Sequence, residues 1–355
     1  MILDFKNLPT GSLPYDNISL CKQMMLRLYK NVPFLPELPM MDTSDTLFNR
    51  TFSNISCIEQ KDGKIFLPDN NNDKFVLELL KFDKIVESDN IDYYNLYGTS
   101  TPFFDLYLEF LKKFNPEYTI IELMGPFTFA NSVFNQNAST LLTGREYRKF
   151  ITEAFIIKAI WFINKIKQAS LNTKPIILFN ENLLYKYGTL KRTNESITKE
   201  TITTLLTKIF KRIQKAGGLI GVQSFEKCNW QLILDTECVN LISFDAYNNS
   251  SSLNLIAGSI NQFLIKGGYI NWGIVPTMNE LTIRNLNVDA LFLKLRDSIE
   301  ELATKGVSLD LLYKNSTISV QGNLAKYPIL FAEKALIIAN QLSKKIPASS
   351  ANYLD

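Results

Sequence analysis

Past the apolar run Leu219 to Val222 the chain reads Gln223-Ser224-Phe225, where an α/β enzyme usually keeps its chemistry. The groups there are an amide and a phenyl ring, which neither ionise nor hold a metal well. Positions of the same kind, just beyond short apolar runs, hold Ser12 with Tyr15, Met124-Gly125-Pro126-Phe127, Asn180-Glu181-Asn182, Asp245 with Tyr247, Trp272 to Thr277, and Gln321-Gly322. Glu181, Asp245 and Tyr15 carry protons and are the candidate catalytic groups. Ser12, Met124, Asn180, Gln223, Phe225, Tyr247, Trp272 and Gln321 are candidate ligand-binding residues, offering hydrogen bonds or flat apolar surface. Arg145 and Arg148, at the start of a long helix, are candidates for an anionic substrate, against the plainer reading of solvated charge at a helix N-terminus.

The 355 residues include no histidine. Its absence removes Ser-His-Asp, Cys-His and most zinc chemistries, leaving carboxylates, Tyr, Cys, Lys and Arg to do any catalysis. The four cysteines, Cys21, Cys57, Cys228 and Cys238, show no CxxC spacing and read as small buried hydrophobes. No metal site and no cofactor are expected. Lys plus Arg number 38 against 35 for Asp plus Glu, a net charge of +3 without a basic block, which does not point to nucleic acid. The N-terminus lacks the order of a signal peptide and no run reaches membrane-span length, so a cytoplasmic protein with a small-molecule partner is expected. Asn-x-Ser/Thr triplets such as Asn54-Ile55-Ser56 then reflect an Asn-rich composition. The oligomeric state stays open.

Such groups need elements to hold them. Strands are expected at 118–123, 175–179, 219–222, 241–244, 269–274 and 317–320, with a further one near Leu8 to Leu13. Helices are expected at 145–169, 197–216, 252–265, 287–304 and 329–345, with Gly217-Gly218 and Gly267-Gly268 as stops and Ser196 as an N-cap. This alternation means a parallel sheet covered on both sides or closed into a barrel. No GxGxxG or Walker sequence follows the first strand, which weighs against dinucleotide and P-loop folds. Residues 31–95, rich in proline and holding DNNND at 69–73, read as an N-terminal elaboration over one barrel end, with a hairpin at about 56–80 inside one domain spanning 1–355.

The stretches TGSLPYDN (10–17), FLPELP (34–39), MGPFTFA (124–130), FNENLL (179–184), GVQSFEKCNW (221–230), ISFDAYN (242–248) and INWGIVPT (270–277) resemble, in order, the cobalamin-independent methionine synthase and uroporphyrinogen decarboxylase superfamily. The resemblance implies an α/β fold, a TIM (β/α)8 barrel. In the zinc-dependent methyltransferase members it resembles, a His-x-Cys and a later Cys hold the metal that activates a substrate thiol. The matching positions here are Gln223, Phe225 and Gln321, so the resemblance implies a dismantled zinc site. The usual Gly-Ser-x-Pro-His is Gly11-Ser12-Leu13-Pro14-Tyr15, and the usual Asp-Glu-Pro is Asn180-Glu181-Asn182.

Three readings compete. The first is a small-molecule-binding or catalytically degenerate relative without thiol methyl transfer. The second is an active metal-free enzyme with decarboxylase-like acid/base chemistry on Glu181, Asp245 and Tyr15, against which residues 1–30 carry only Arg27. The third recruits a metal through Glu181, Asp245 and Cys228 and ranks last. Under the first reading Glu181, Gln223, Asp245, Tyr247 and Gln321 line one cavity. Gln223 and Gln321 are expected to approach each other, or to share one water or ligand, with Phe225 filling the volume of the lost metal and thiolate.

Overall fold

The computed structural model describes residues 6–9, 11–61, 64–88, 101–134, 141–187 and 197–350. In chain order, β1 (Glu59–Lys61) and β2 (Lys64–Phe66) pair antiparallel within the elaboration. The main sheet opens with β3 (Tyr118–Met124), and β4 (Val133–Phe134) then runs parallel to β2. The sheet continues with β5 (Lys174–Asn180), β6 (Leu219–Ser224), β7 (Val239–Phe244), β8 (Tyr269–Val275) and β9 (Ser316–Val320). Its six strands are parallel and ordered β3-β5-β6-β7-β8-β9.

Parallel neighbours cannot be joined by a tight turn, so helices carry the crossovers. Arg145–Ala169 precedes β5, Lys199–Lys215 precedes β6, Ala257–Ile265 precedes β8 and Val288–Thr304 precedes β9. The expected stops are met where Gly217 and Gly267 take φ of 89° and 83°, a left-handed conformation that glycine adopts without penalty. Ser196 lies outside the described residues; Thr198 caps its helix, accepting from Thr201 N at 3.1 Å. The Arg145–Ala169 helix is buried on nearly every side because the Asp73–Ser88 helix covers its flank, with Phe75 and Phe150 stacked at 5.2 Å. That second cover explains why its sequence shows so little amphipathic contrast.

The expected TIM (β/α)8 barrel is not formed: the sheet is a six-stranded half-barrel. The expected strand at Leu8 to Leu13 and the stretch around Phe34 make only isolated bridges, Asn7 to Ile318 of β9, Phe34 to Ile120 of β3, and Ser12 to Glu37. Pro9, Pro14, Pro33, Pro36 and Pro39 punctuate these stretches, and Gly11 sits at φ 81°. Proline brings no N–H to a ladder, so pairing stops after one or two bonds at each contact. Backbone bonds from Leu8 N to Ile318 O (2.8 Å), Leu35 N to Ile120 O (3.2 Å) and Leu13 N to Glu37 O (2.9 Å) still tie these segments to the sheet edges and to each other.

A pair of buried charges holds the second of them. Arg50, 2% exposed, donates to the carbonyls of Leu35 (2.7 Å) and Pro36 (2.8 Å) and lies 3.6 Å from Asp45. Asp45 in turn accepts from Leu38 N at 2.8 Å. Carbonyls that no strand satisfies are satisfied by a guanidinium instead.

Close approach of backbones sets two glycines apart. A Cβ on Gly273 of β8 would stand 2.6 Å from the Phe244 carbonyl oxygen on β7, whereas one on Gly258, in a helix, meets nothing within 4 Å. Gly273→Ala is expected to destabilise the fold by about 2 kcal/mol through forced strand displacement. Gly258→Ala should stabilise it by about 0.5 kcal/mol by restricting the unfolded chain. Urea denaturation midpoints of the two variants measure both.

Candidate functional site

Strand register places polar side chains in one row across the sheet. Asn180, Gln223, Ser243, Asn271 and Thr317 are successive partners on β5, β6, β7, β8 and β9. Side chains two apart on a strand share a face, so Glu122 stands on the same face as Met124, the partner of Asn180. The row is joined end to end by hydrogen bonds. Thr317 Oγ1 donates to Asn271 Oδ1 (2.9 Å), and Asn271 Nδ2 donates to both Ser243 Oγ (2.8 Å) and Ser319 Oγ (2.9 Å). Ser243 Oγ donates to Gln223 Oε1 at 3.4 Å, and Gln223 Nε2 donates to Glu122 Oε1 at 2.9 Å.

Glu122 is where the row ends. Oε1 also accepts from Asn180 Nδ2 (3.1 Å), and Oε2 accepts from Gly11 N (2.8 Å). One carboxylate, 5% exposed, thus ties β3, β5, β6 and the N-terminal segment together. Beside it is Glu37, half-buried. Burial pushes the Glu37 carboxyl up to about 8; Arg50 pulls it down, while Glu122 and Asp45 add to the rise. A proton-holding acid therefore adjoins the acceptor of the row.

Neither acid is among the catalytic candidates read from the sequence, and each of those candidates is held by its own hydrogen bonds. Glu181 turns away from the row and caps the Pro126–Ser132 helix, accepting from Phe127 N (2.9 Å), Thr128 N (2.8 Å) and Thr128 Oγ1 (2.8 Å). Gly125 makes room for it, since a Cβ there would stand 2.2 Å from the Glu181 carboxyl carbon. Asp245 caps the next turn through Asn248 N (3.1 Å) and accepts from Gln321 Nε2 at 2.8 Å. Tyr15, fully buried, donates to Glu333 at 3.1 Å, and burial followed by the Glu333 charge drives its phenol well above the usual range.

The ligand-binding candidates divide in the same way. Asn180 and Gln223 belong to the row, and Ser12 Oγ donates to Asn323 Oδ1 at 2.6 Å beside it. Met124 and Phe225 are half-buried at the strand ends, Phe225 N donating to Asn182 Oδ1 at 3.1 Å. Trp272 is fully buried, its indole donating to Ser316 Oγ at 2.9 Å and its ring 5.3 Å from that of Phe244, so it packs in the core. Tyr247 lines an outer cleft of about 430 Å3 with Pro276 and Lys294. Cys228 is held in its thiol form by burial and then by the Glu181 charge.

Gln223 and Gln321 each have a carboxylate partner of their own. Gln223 serves Glu122 and Ser243, whereas Gln321 serves Asp245 and accepts from Thr277 N at 3.2 Å. Phe225 does lie against the Gln321-Gly322 turn, its ring 3.6 Å from where a Gly322 Cβ would be. These three positions do not fit a zinc ion: both amides are engaged by carboxylates and the ring offers no donor. Among the described residues, no group of three or more His, Cys, Asp and Glu side chains is placed to hold a metal. The described residues also contain no helix long and apolar enough to cross a membrane. No protein-family model matches the chain, and no curated protein matches it.

The signal for Glu122 was present in Tyr118-Thr119-Ile120-Ile121-Glu122-Leu123, where one carboxylate interrupts an apolar strand. A charge is rarely buried there without dedicated partners. Glu122→Leu strips the acceptor from three donors and is expected to destabilise the protein by about 3 kcal/mol, more than Glu122→Gln, which keeps one acceptor oxygen. Chemical denaturation of both variants checks the order.

Glu181 predicts a pH dependence. Burial raises its carboxyl from 4.5 to about 7, against hydrogen bonds from Phe127 and Thr128 that lower it. The unfolded chain releases this proton first as pH rises, so the contribution is complete below about 4.5 and is lost as pH passes through about 7. Wild type is expected to lose stability relative to Glu181→Gln across that window, measured as paired melting curves; a constant difference would contradict it.

Proposed function

We propose that the chain is a small-molecule-binding relative of the methionine synthase and uroporphyrinogen decarboxylase superfamily without zinc-dependent thiol methyl transfer. The observation that carries this reading is the separate commitment of the two amides, Gln223 to Glu122 and Gln321 to Asp245, with Phe225 between their strands' ends. A cation seated there would have to pull both amides from their carboxylates and would gain only weak oxygen ligands. What remains accessible at the strand ends is Met124, Phe225, Gln321 and Glu37, an apolar surface beside an acid. The ligand this favours is small, partly apolar and equipped with a hydrogen-bond acceptor for the protonated Glu37 carboxyl. Acid/base catalysis on Glu181, Asp245 and Tyr15 finds no support in their placement, because each serves a different structural bond.

Elemental analysis of protein purified from zinc-supplemented cells is expected to find well under about 0.1 zinc per chain. The combined variant Gln223→His, Phe225→Cys and Gln321→Cys should take up about one zinc per chain. A histidine at 223 keeps one ring nitrogen to donate to Glu122 while the other ligates, as metal-bound imidazoles commonly do. Stoichiometric zinc in the wild-type protein, removable by chelator with loss of stability, would reject this reading.

A further inference from the structure

A cleft of about 530 Å3 lies between the Arg145–Ala169 and Lys199–Lys215 helices. Its walls follow helical spacing. Arg145, Arg148, Lys149, Thr152 and Glu153 come from one helix, and Thr201, Thr204 and Lys208 from the other. Both helices begin here, and their dipoles favour a negative charge, while in the second Thr198 already accepts from Thr201 N. The Gly144 cap of the longer helix supplies no side-chain acceptor.

The cations divide into engaged and disengaged. Arg148 donates to the carbonyls of Leu142 and Thr143, both at 2.7 Å, and Lys149 is bound to Asp83 at 2.5 Å. Arg145 and Lys208, both exposed, form no ion pair among the described residues. Two acids share the cleft, Glu200, exposed in the first turn of the second helix, and Glu153, which is buried. Glu153 is only 7% exposed, lines the cleft, and its Oε2 has no hydrogen-bond partner. A buried carboxyl oxygen without a partner is costly unless a ligand supplies one.

We infer that this cleft binds hydrogen phosphate, the phosphate species that keeps a P–O–H near neutral pH. The P–O–H donates to Glu153 Oε2, and the remaining oxygens face Lys208, Arg145 and the hydroxyls of Thr201 and Thr204. A carboxylate among cations rejects an anion that has no proton to give and accepts one that has. Sulfate at neutral pH is the first kind and hydrogen phosphate the second. Burial holds the Glu153 carboxyl up at about 7, with Lys149 and Lys208 lowering it and Asp83 and Glu87 raising it, so above that value it is ionised and selects an anion that brings its own proton. The site is independent of the strand-end reading, since none of its residues belongs to the polar row.

Isothermal titration of the full chain at pH 8 in low salt, where the Glu153 carboxyl is ionised, with inorganic phosphate, glycerol 3-phosphate and sulfate as probes, tests it. Inorganic phosphate should bind at least about ten-fold more tightly than sulfate, and than glycerol 3-phosphate, whose dianion has no proton to give. Glu153→Gln should bring the phosphate-to-sulfate ratio within about three-fold, and Arg145→Gln with Lys208→Met should weaken phosphate at least about ten-fold. The double variant changes only exposed side chains, so it reports on the site even where Glu153→Gln perturbs folding. Equal affinity for sulfate and phosphate, no heat from any probe up to about 10 mM, or unchanged phosphate affinity in the double variant would each overturn the proposal.

Discussion

The structure depends on the disposal of one buried negative charge. The hydrogen bonds that lead from Thr317 through Asn271, Ser243 and Gln223 to Glu122 all give their protons in the same sense. A chain of donors polarised in one direction needs a strong final acceptor, and in a low-dielectric interior each link strengthens the next. Glu122 supplies it, and in doing so fixes Gln223 and Asn180 on their strands and draws Gly11 against the sheet.

This explains how an open sheet keeps two irregular segments where further strands would stand. The six-stranded half-barrel leaves its β3 and β9 edges without further strands, and proline-punctuated segments bridge them at single residues. Side chains replace the missing ladders: Glu122 holds the Gly11 segment, and Arg50 with Asp45 holds the segment around Leu35 to Leu38. Such bonds are strong only because they are charge-assisted and buried, the condition under which losing one partner costs most.

Amides at the strand ends have a related physical meaning. Gln223 and Gln321 can donate to a carboxylate and accept from a neighbour at once, so they fit between Glu122 and Ser243, and between Asp245 and Thr277. Amides paired with carboxylates hold the interior at these strand ends, while Arg145 and Lys208 lie exposed on the helices outside. Glu153 connects the two themes, being a buried carboxyl oxygen for which the chain itself provides no donor.

From its sequence alone the chain determined its β3, β5 to β9 strands and the helices between them, because apolar periodicity and glycine stops act over a few residues. Composition likewise excluded histidine chemistry. Tertiary structure decided the rest: that the sheet stops at six strands, that Trp272 belongs to the core, that Tyr15 serves Glu333, and that the two glutamines choose carboxylates over each other. It also turned Glu122, legible only as an odd residue in an apolar strand, into the centre of the site. Its partners lie 58, 101 and 111 residues away in sequence, and Ser12 reaches Asn323 across 311. Local pattern specifies which elements form; which polar groups meet depends on register and sheet curvature, and these exist only once the strands have paired.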